Sequence, residues 1–271
     1  MPKNTAFRPP FLLTQGQLPL LISIPHLGTH IPQALAAQMT PEAARKVDTD
    51  WHLDRLYDFA VAMGASVIQA HYSRYVIDLN RPPTGESLYP GQTTTGLCPT
   101  ETFRGEPLYL AGCEPDAAEI ARRREAYWQP YHDALGAELK RLRSVHGQVL
   151  LWDAHSIASV LPRLFEGKLP DLNFGTAGGA SCDAQVLQAA LQCLNVEPFT
   201  QVVNGRFKGG YITRHYGQPC QGTHAIQLEL CQSLYMNEVE PFDYHPAIAQ
   251  SLQPVLQRML LAAVAALPGR S

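Results

Sequence analysis

The chain has 271 residues, of which 45% are hydrophobic and 17% are charged, and its formal net charge is −3. This composition predicts a globular protein with one sizeable core. The negative charge argues against a nucleic-acid partner, which usually needs a basic surface, and the apolar run at residues 18–24 is far shorter than the ~20 residues that cross a membrane.

Cysteine usage and the N-terminal sequence both predict a cytoplasmic protein. None of the six cysteines forms a C-x-x-C pair, and a chain of this size does not need disulfides, so we expect reduced, mostly buried thiols. Residues 1–17 lack the basic region and long apolar stretch of a signal peptide.

The first part of the chain reads as strands and helices in alternation. The predicted strands are residues 20–24, 66–71 and 74–79. The predicted helices are residues 32–39, a segment after the cap Thr40 with Pro41 at its first position, and residues 50–64. From Asn80 to about Pro115, glycines and prolines break any regular element. Because this stretch includes Tyr89, Phe103 and Tyr109 but few charges, we expect an ordered lid or a wall of the functional site.

The second part begins with the clearest helix, residues 116–145, which Pro130 is expected to kink or split. The remaining predicted elements are strands at 149–152, 171–176, 199–203 and 223–230, helices at 182–194 and 246–267, and a loop at 213–217. Strands that alternate with helices indicate an α/β fold with a mostly parallel sheet and helices on both faces. Since no repeat or linker interrupts the pattern, we expect a single domain over residues 1–271.

Two histidines follow predicted strands. His26 lies in Pro-His-Leu-Gly after residues 20–24, and His155 lies in Asp-Ala-His-Ser after residues 149–152. Ligands of open α/β sheets bind at the carboxyl ends of the strands. Two histidines there favour a hydrolytic zinc site over two hydrogen-bonded loop histidines, and Asp153 is placed to orient one ligand.

The residues alone do not decide which side chain is the third metal ligand. Asp48, Asp50 and Asp54 cluster at the predicted start of a helix, where an aspartate can equally be a helix cap or a solvated surface residue. Asp50 lies 24 residues after His26 and 105 before His155, which is not the compact spacing of a structural zinc finger.

Three further segments carry charged residues with a predicted role. Glu229 ends the apolar run 225–228, where burial should raise its pKa and suit it to act as a general base, although a structural ion pair is the alternative. Arg81, which follows Asn80, and Arg214, in a Gly-flanked segment, are typical carboxylate-binding residues, although each could equally form an ordinary ion pair.

Taken in order, these segments resemble the N-formylglutamate amidohydrolase family, also called N-formylglutamate deformylase, over about residues 18–260. The matching segments are residues 24–28, 48–51 with Asp54, 74–81, 153–156, 209–217 and 224–229. The resemblance implies one α/β domain with a mixed, mostly parallel sheet, similar to zinc carboxypeptidases and phosphorylase/hydrolase-like proteins, and a zinc ion, or another divalent metal, at its carboxyl edge.

The resemblance also implies roles for individual residues. His26 and His155 would hold zinc, Asn80, Arg81 and Arg214 would bind the substrate, and Glu229 would be the catalytic base. Zinc carboxypeptidases and their amidohydrolase relatives carry a glutamate three residues after the first histidine, whereas this chain has Thr29. We therefore expect the carboxylate ligand to be Asp50, with Asp54 as the alternative.

The implied reaction is hydrolysis of N-formyl-L-glutamate to formate and L-glutamate in histidine degradation. The predicted partner is therefore a small acidic N-acyl amino acid, with no nucleic acid and no membrane involved. Three alternatives stay open: an amidohydrolase for another N-acyl amino acid, such as a succinyl or acetyl form, a metallocarboxypeptidase for short peptides, and a non-catalytic acid-binding protein of the same fold.

Overall fold

The structure is a computed structural model that describes residues 9–88 and 91–269. In chain order its strands are β1 (Phe11–Thr14), β2 (Leu20–Ile24), β3 (Ser66–Ala70), β4 (Val149–Ile157), β5 (Leu172–Gly175), β6 (Gln201–Val203) and β7 (Thr223–Cys231). They form one sheet in the order β1-β3-β2-β4-β7-β5-β6. The pairings β1–β3 and β5–β7 are antiparallel and the other pairings within the described residues are parallel, so the predicted mixed, mostly parallel sheet is confirmed.

Helices cover both faces of the sheet. They are α1 (Gln33–Ala36), α2 (Pro41–Arg45), α3 (Leu53–Leu56), α4 (Phe59–Met63), α5 (Ala117–Arg123), α6 (Gln129–His146), α7 (Ala184–Gln192), α8 (Tyr211–Tyr216) and α9 (Pro246–Ala265). The larger core lies between one face of the sheet and α3, α4, α7 and α9. The second core lies between the opposite face and α6, with one residue of α8.

Several predicted elements are confirmed by the structure. The buried run 20–24 is β2, and Thr40 accepts a hydrogen bond from Ala43 N at the start of α2, with Pro41 at its first position. The predicted helix 116–145 is split: a π-helical turn at Arg124–Trp128 separates α5 from α6, and Pro130 lies in the first turn of α6.

Other predictions were wrong. Residues 74–79 form a turn rather than a strand, because Val76 N bonds to Ser73 O and Arg74 pairs with Asp78 four residues later. Residues 213–217 lie largely within α8, not in a loop, and β1 was not predicted. The long predicted helix 50–64 is two short helices, α3 and α4.

The predicted irregular stretch 80–115 is confirmed for its described part, which contains no helix or strand; Tyr89 lies outside the described residues. All six cysteines are free thiols, three of them buried. Within residues 9–88 and 91–269, no helix combines the length and apolar character that crossing a membrane requires.

Candidate functional site

The two long central strands, β4 and β7, change character along their length on one face of the sheet. Residues 150–154 contribute alternate side chains to the larger core. On the opposite face, the apolar Val149 and Leu151 are followed at the same two-residue period by Asp153 and His155. In β7 the corresponding polar residues are Gln227 and Glu229, which pair with Asp153 and His155. The carboxyl-terminal half of this face is therefore a patch of buried polar side chains.

Three predicted metal ligands meet at this patch. One donor atom from each of His26, Asp50 and His155 lies within 4.8 Å of the others, and all three residues are buried. Asp50 Oδ2 is 3.1 Å from His155 Nδ1 and 3.6 Å from His26 Nδ1. His26 directly follows β2, as predicted, whereas His155 lies within β4, because that strand continues five residues beyond the apolar run that predicted it.

Each histidine is held from behind by a second carboxylate. His26 Nε2 donates to Asp78 Oδ1 at 2.8 Å, and His155 Nε2 lies 3.1 Å from Asp153 Oδ2. Nδ1 of each ring therefore faces Asp50 while Nε2 faces an outer carboxylate, which is the arrangement typical of metal-ligating histidines.

Electrostatics at these residues favours a positive charge between them. Burial alone would raise the pKa of Asp50, but the hydrogen bonds with His155 and His26 hold it below its ordinary value, so Asp50 stays ionised. Burial also disfavours a charged His155, yet Asp153 and Asp50 raise its pKa well above the usual range. The donor set, two imidazole nitrogens and a carboxylate oxygen, therefore fits a divalent metal such as zinc.

Of the three clustered aspartates, Asp50 is the residue that reaches this group. Its backbone N donates to His26 O at 3.1 Å, which draws the segment before α3 against the end of β2. Asp48 instead accepts hydrogen bonds from Tyr75 Oη and Phe103 N, and burial raises its pKa to about 6. Asp54 is exposed on α3, away from the histidines.

Arg74 is a buried cation beside this group that sequence reasoning assigned no role. Its Nη2 donates to Asp78 Oδ2 at 2.6 Å, and its Nη1 is 3.8 Å from Asp50 Oδ1. The guanidinium also lies 4.6 Å above the ring of Phe103. Arg74 thus lies between the carboxylates of Asp78 and Asp50, which contact opposite nitrogens of the His26 ring.

Glu229 faces the same cavity as the two histidines and is only 8% exposed. Within the described residues its carboxylate forms neither a hydrogen bond nor an ion pair, so the alternative of a structural ion pair finds no partner there. Burial, only partly offset by His155, raises the pKa of Glu229 to about 8. A carboxyl group with such a pKa accepts and releases protons near neutral pH.

Arginines line the outer part of the cavity. Among the described residues, Arg81 hydrogen-bonds to neutral groups, chiefly Thr95 O and Thr95 Oγ1, at 2.9 and 3.2 Å. Arg206, which was not predicted, donates to Leu164 O and Thr93 O. Residues 93–95 therefore form a wall of the cavity that both arginines contact.

The other two predicted substrate-binding residues lie differently. Arg214 is exposed on α8, where its Nε donates to Gly209 O, and it is not among the cavity-lining residues. Asn80 lines the cavity, but its Oδ1 accepts from Ile212 N and its Nδ2 donates to Asp153 Oδ2. Asn80 Nδ2 also lies 2.9 Å from His155 Nε2. Asp153 accepts further hydrogen bonds from Ser23 Oγ and Thr213 Oγ1, each at 3.3 Å.

Gln227 is a further lining residue that sequence reasoning missed, although it had a signal in the pattern. It is a polar residue two positions before Glu229 in an otherwise apolar strand, and a period of two places both on one face. Arg206 had no comparable signal, because it belongs to an irregular segment whose course depends on distant contacts.

Comparison with known proteins identifies similar sequences over most of the chain. A family model described as N-formylglutamate amidohydrolase matches residues 18–236. An N-formylglutamate deformylase from Pseudomonas putida is 54% identical over 253 residues, covering 93% of this chain and 94% of that protein. An N-formylglutamate deformylase from Pseudomonas aeruginosa is 52% identical over 248 residues, covering 91% and 92%.

Solved structures share the fold. The crystal structure of N-formylglutamate amidohydrolase from Ralstonia eutropha matches with a TM-score of 0.81 and 23% identity, covering 96% of this chain and 99% of that one. A gene product from Agrobacterium tumefaciens matches with a TM-score of 0.72 and 18% identity, covering 94% of each chain. At these identities the likeness shows the α/β architecture.

Proposed function

The chain belongs to the N-formylglutamate amidohydrolase family, and we propose that it is a metal-dependent hydrolase that converts N-formyl-L-glutamate into formate and L-glutamate. Hydrolysis of N-formylglutamate follows from relatives that are 52% and 54% identical over more than nine tenths of the chain. The observation that supports metal dependence is the buried group of His26, Asp50 and His155, which opens to the same cavity as Glu229.

His26 Nδ1, His155 Nδ1 and a carboxylate oxygen of Asp50 would hold the metal, for which zinc is our choice. Zinc bound there would supply Lewis acidity, which lowers the pKa of a water molecule toward neutrality and polarises a carbonyl oxygen. Asp78 and Asp153 fix the orientation and tautomer of the two imidazoles, so the ligands are arranged before the metal binds.

Glu229 is the proposed general base. As water attacks the formyl carbon, a carboxylate oxygen of Glu229 takes its proton, and the same group then delivers a proton to the leaving amine nitrogen of glutamate. Its raised pKa, about 8, suits both steps, because such a group gives up and accepts a proton at similar cost near neutral pH.

The cavity-lining arginines are the proposed carboxylate ligands. Arg81, whose hydrogen bonds go to neutral groups, keeps its charge for one substrate carboxylate. For the second carboxylate the geometry favours Arg206, which lines the cavity, over Arg214, which is exposed on α8. Asn80 helps by keeping Asp153 in place beside His155.

The wider setting follows from the same reading. We place the reaction in histidine degradation and in the cytoplasm, and we take residues 1–271 as one N-formylglutamate amidohydrolase-like domain, which the single seven-stranded sheet supports. Hydrolysis of a larger N-acyl amino acid is the competing activity, because the residues that would bind glutamate carboxylates do not themselves select the acyl group.

Metal content and formate release, measured together on wild type and Glu229→Gln, test this function. We expect one zinc per chain in both proteins, turnover of N-formyl-L-glutamate by wild type, and a loss of about 10²–10⁴-fold in the variant. Chelation should abolish turnover and zinc should restore it. Full turnover after complete metal removal would disprove the mechanism, and turnover of N-succinyl- or N-acetyl-L-glutamate in preference to the formyl compound would disprove the substrate.

A further inference from the structure

Gln227 has a buried, oriented amide group in the cavity that the proposed reaction does not use. The residue is 4% exposed and lies on the polar face of β7, two residues before Glu229. Its Oε1 accepts a hydrogen bond from Gly210 N at 2.8 Å. A backbone N–H can only donate, so this contact fixes which end of the side-chain amide is oxygen and which is nitrogen.

The Nε2 group of Gln227 has no hydrogen-bond partner within the described residues. This nitrogen is not fully enclosed by the protein but keeps some exposure at the cavity wall, so it can donate to a bound molecule. Since Gln227 lines the cavity, the ligand that satisfies this donor must present an acceptor oxygen to it.

The surroundings of Gln227 indicate which part of the substrate this oxygen belongs to. Gly210, which holds Gln227 Oε1, packs directly on the Asn80 carboxamide: a Cβ added to Gly210 would lie 2.4 Å from Asn80 Nδ2. Asn80, Arg81 and Gln227 all line the cavity, so one bound molecule can face both the Gln227 amide and the Arg81 guanidinium.

We propose that Gln227 is a substrate-binding residue whose Nε2 donates a hydrogen bond to the substrate carboxylate that Arg81 also contacts. This inference rests on the proposed function. A neutral donor beside a cation adds directional selectivity for a carboxylate without changing the charge of the cavity. Gly210 then acts as the support that aims the donor.

Two substitutions separate the donor from its support. Gln227→Glu keeps an oxygen that accepts from Gly210 N but replaces the donating amide by a carboxylate oxygen. Gln227→Met removes both the donor and the acceptor while keeping a similar length. Gln185→Glu, an exposed residue of α7, is the matched control for the change of charge.

The experiment measures kcat and KM for N-formyl-L-glutamate on the zinc-loaded proteins, the Kd of L-glutamate by calorimetry, zinc content and Tm. We expect both Gln227 variants to raise KM and the Kd of L-glutamate by roughly 10–100-fold, with kcat within about threefold of wild type. The control should be unchanged in every measurement.

Other outcomes overturn the inference. Unchanged KM and L-glutamate affinity in both variants would show that Gln227 does not bind substrate, and lower Tm or zinc content with unchanged affinity would leave it a structural role. Higher KM with unchanged L-glutamate affinity would move the contact from a carboxylate to the formyl oxygen. A wild type that binds L-glutamate without releasing formate would instead disprove the proposed function, and L-glutamate affinity would still test Gln227.

Discussion

Asp50 Oδ2 lies 3.1 Å from His155 Nδ1, although 105 residues separate the two along the chain. The contact joins an irregular segment before α3 to the middle of the polar face of β4. It brings to the two histidines a carboxylate that Thr29, three residues after His26, cannot supply.

Replacing Asp50 by Asn should remove the metal and the activity together. The amide keeps the shape of the side chain but loses the negative charge that faces two imidazoles. Loss of partners behind the ligands usually weakens metal binding 10–100-fold, and loss of a ligand should exceed that. Zinc titration and formate release measure both effects.

Asp54→Asn is the matched control for that substitution. Asp54 is exposed on α3, so its variant should bind zinc and turn over substrate like wild type. The opposite pattern, with zinc lost in Asp54→Asn and retained in Asp50→Asn, would reassign the carboxylate ligand.

Asp78→Asn should weaken zinc binding without abolishing it. Asp78 accepts hydrogen bonds from His26 Nε2 and from Arg74 Nη2. Of the three proposed metal ligands, it contacts His26 alone. The amide is a weaker acceptor and lets the imidazole turn, so we expect a 10–100-fold loss of zinc affinity. Competition with a chelator of known affinity measures it, and an unchanged zinc Kd would contradict this account of the outer carboxylates.

The arginines should differ in their effect on KM. Removing a charge that pairs with a substrate carboxylate costs about 2 kcal/mol or more, which is roughly a 30-fold rise in KM. We expect that rise for Arg81→Ala and Arg206→Ala, with much smaller effects on kcat. Arg214→Ala provides the comparison, and a large effect there with none at Arg206 would restore the role predicted from the sequence.

His132 should make the fold sensitive to acid. It is buried on α6, where Nε2 donates to Leu79 O and the ring stacks on Trp128. Burial lowers the pKa of His132 from 6.5 to about 3. Above pH 6.5 the neutral ring stabilises the fold fully; as the pH falls from about 6.5 toward 3, the unfolded chain binds the proton first and stability declines.

His132→Phe tests that pH dependence. Phe keeps the stacked ring but leaves Leu79 O without its donor, so we expect a lower Tm at pH 7.5. Because Phe cannot take up a proton, the difference in Tm from wild type should shrink as the pH is lowered through 6 to 5. A difference that stays constant over this range would rule out titration of His132 as its cause.

The central strands and the metal group were accessible from the sequence for a physical reason. The runs before His26, His155 and Glu229 are nearly continuously apolar, which is typical of strands buried on both faces. Parallel strands bring their carboxyl ends to one edge, so the residues that follow such runs meet. Asp50 could only be narrowed to a cluster, because its position depends on a backbone contact with His26 O.

The errors arose where distant contacts decide local structure. The helix α8 was read as a loop from its flanking glycines, but its first amides, Tyr211 N and Ile212 N, donate to the backbone and side chain of Asn80. The apolar and charged residues at 74–79 read as a strand, yet Arg74 is drawn to Asp50 and Asp78. No local pattern encodes the contacts with Asn80 and Asp50.

Side chains of β4 alternate between the hydrophobic core and the functional site, so correct folding and activity depend on the same strand register. Leu150, Trp152 and Ala154 pack in the larger core, and the alternating positions on the opposite face include Asp153 and His155. A shift of β4 by one residue against β7 would move Trp152 to the cavity face and His155 to the face that packs in the hydrophobic core. A misregistered chain would therefore be inert as well as unstable, so catalytic activity measured per chain reports directly on the fraction of molecules whose strands are correctly aligned.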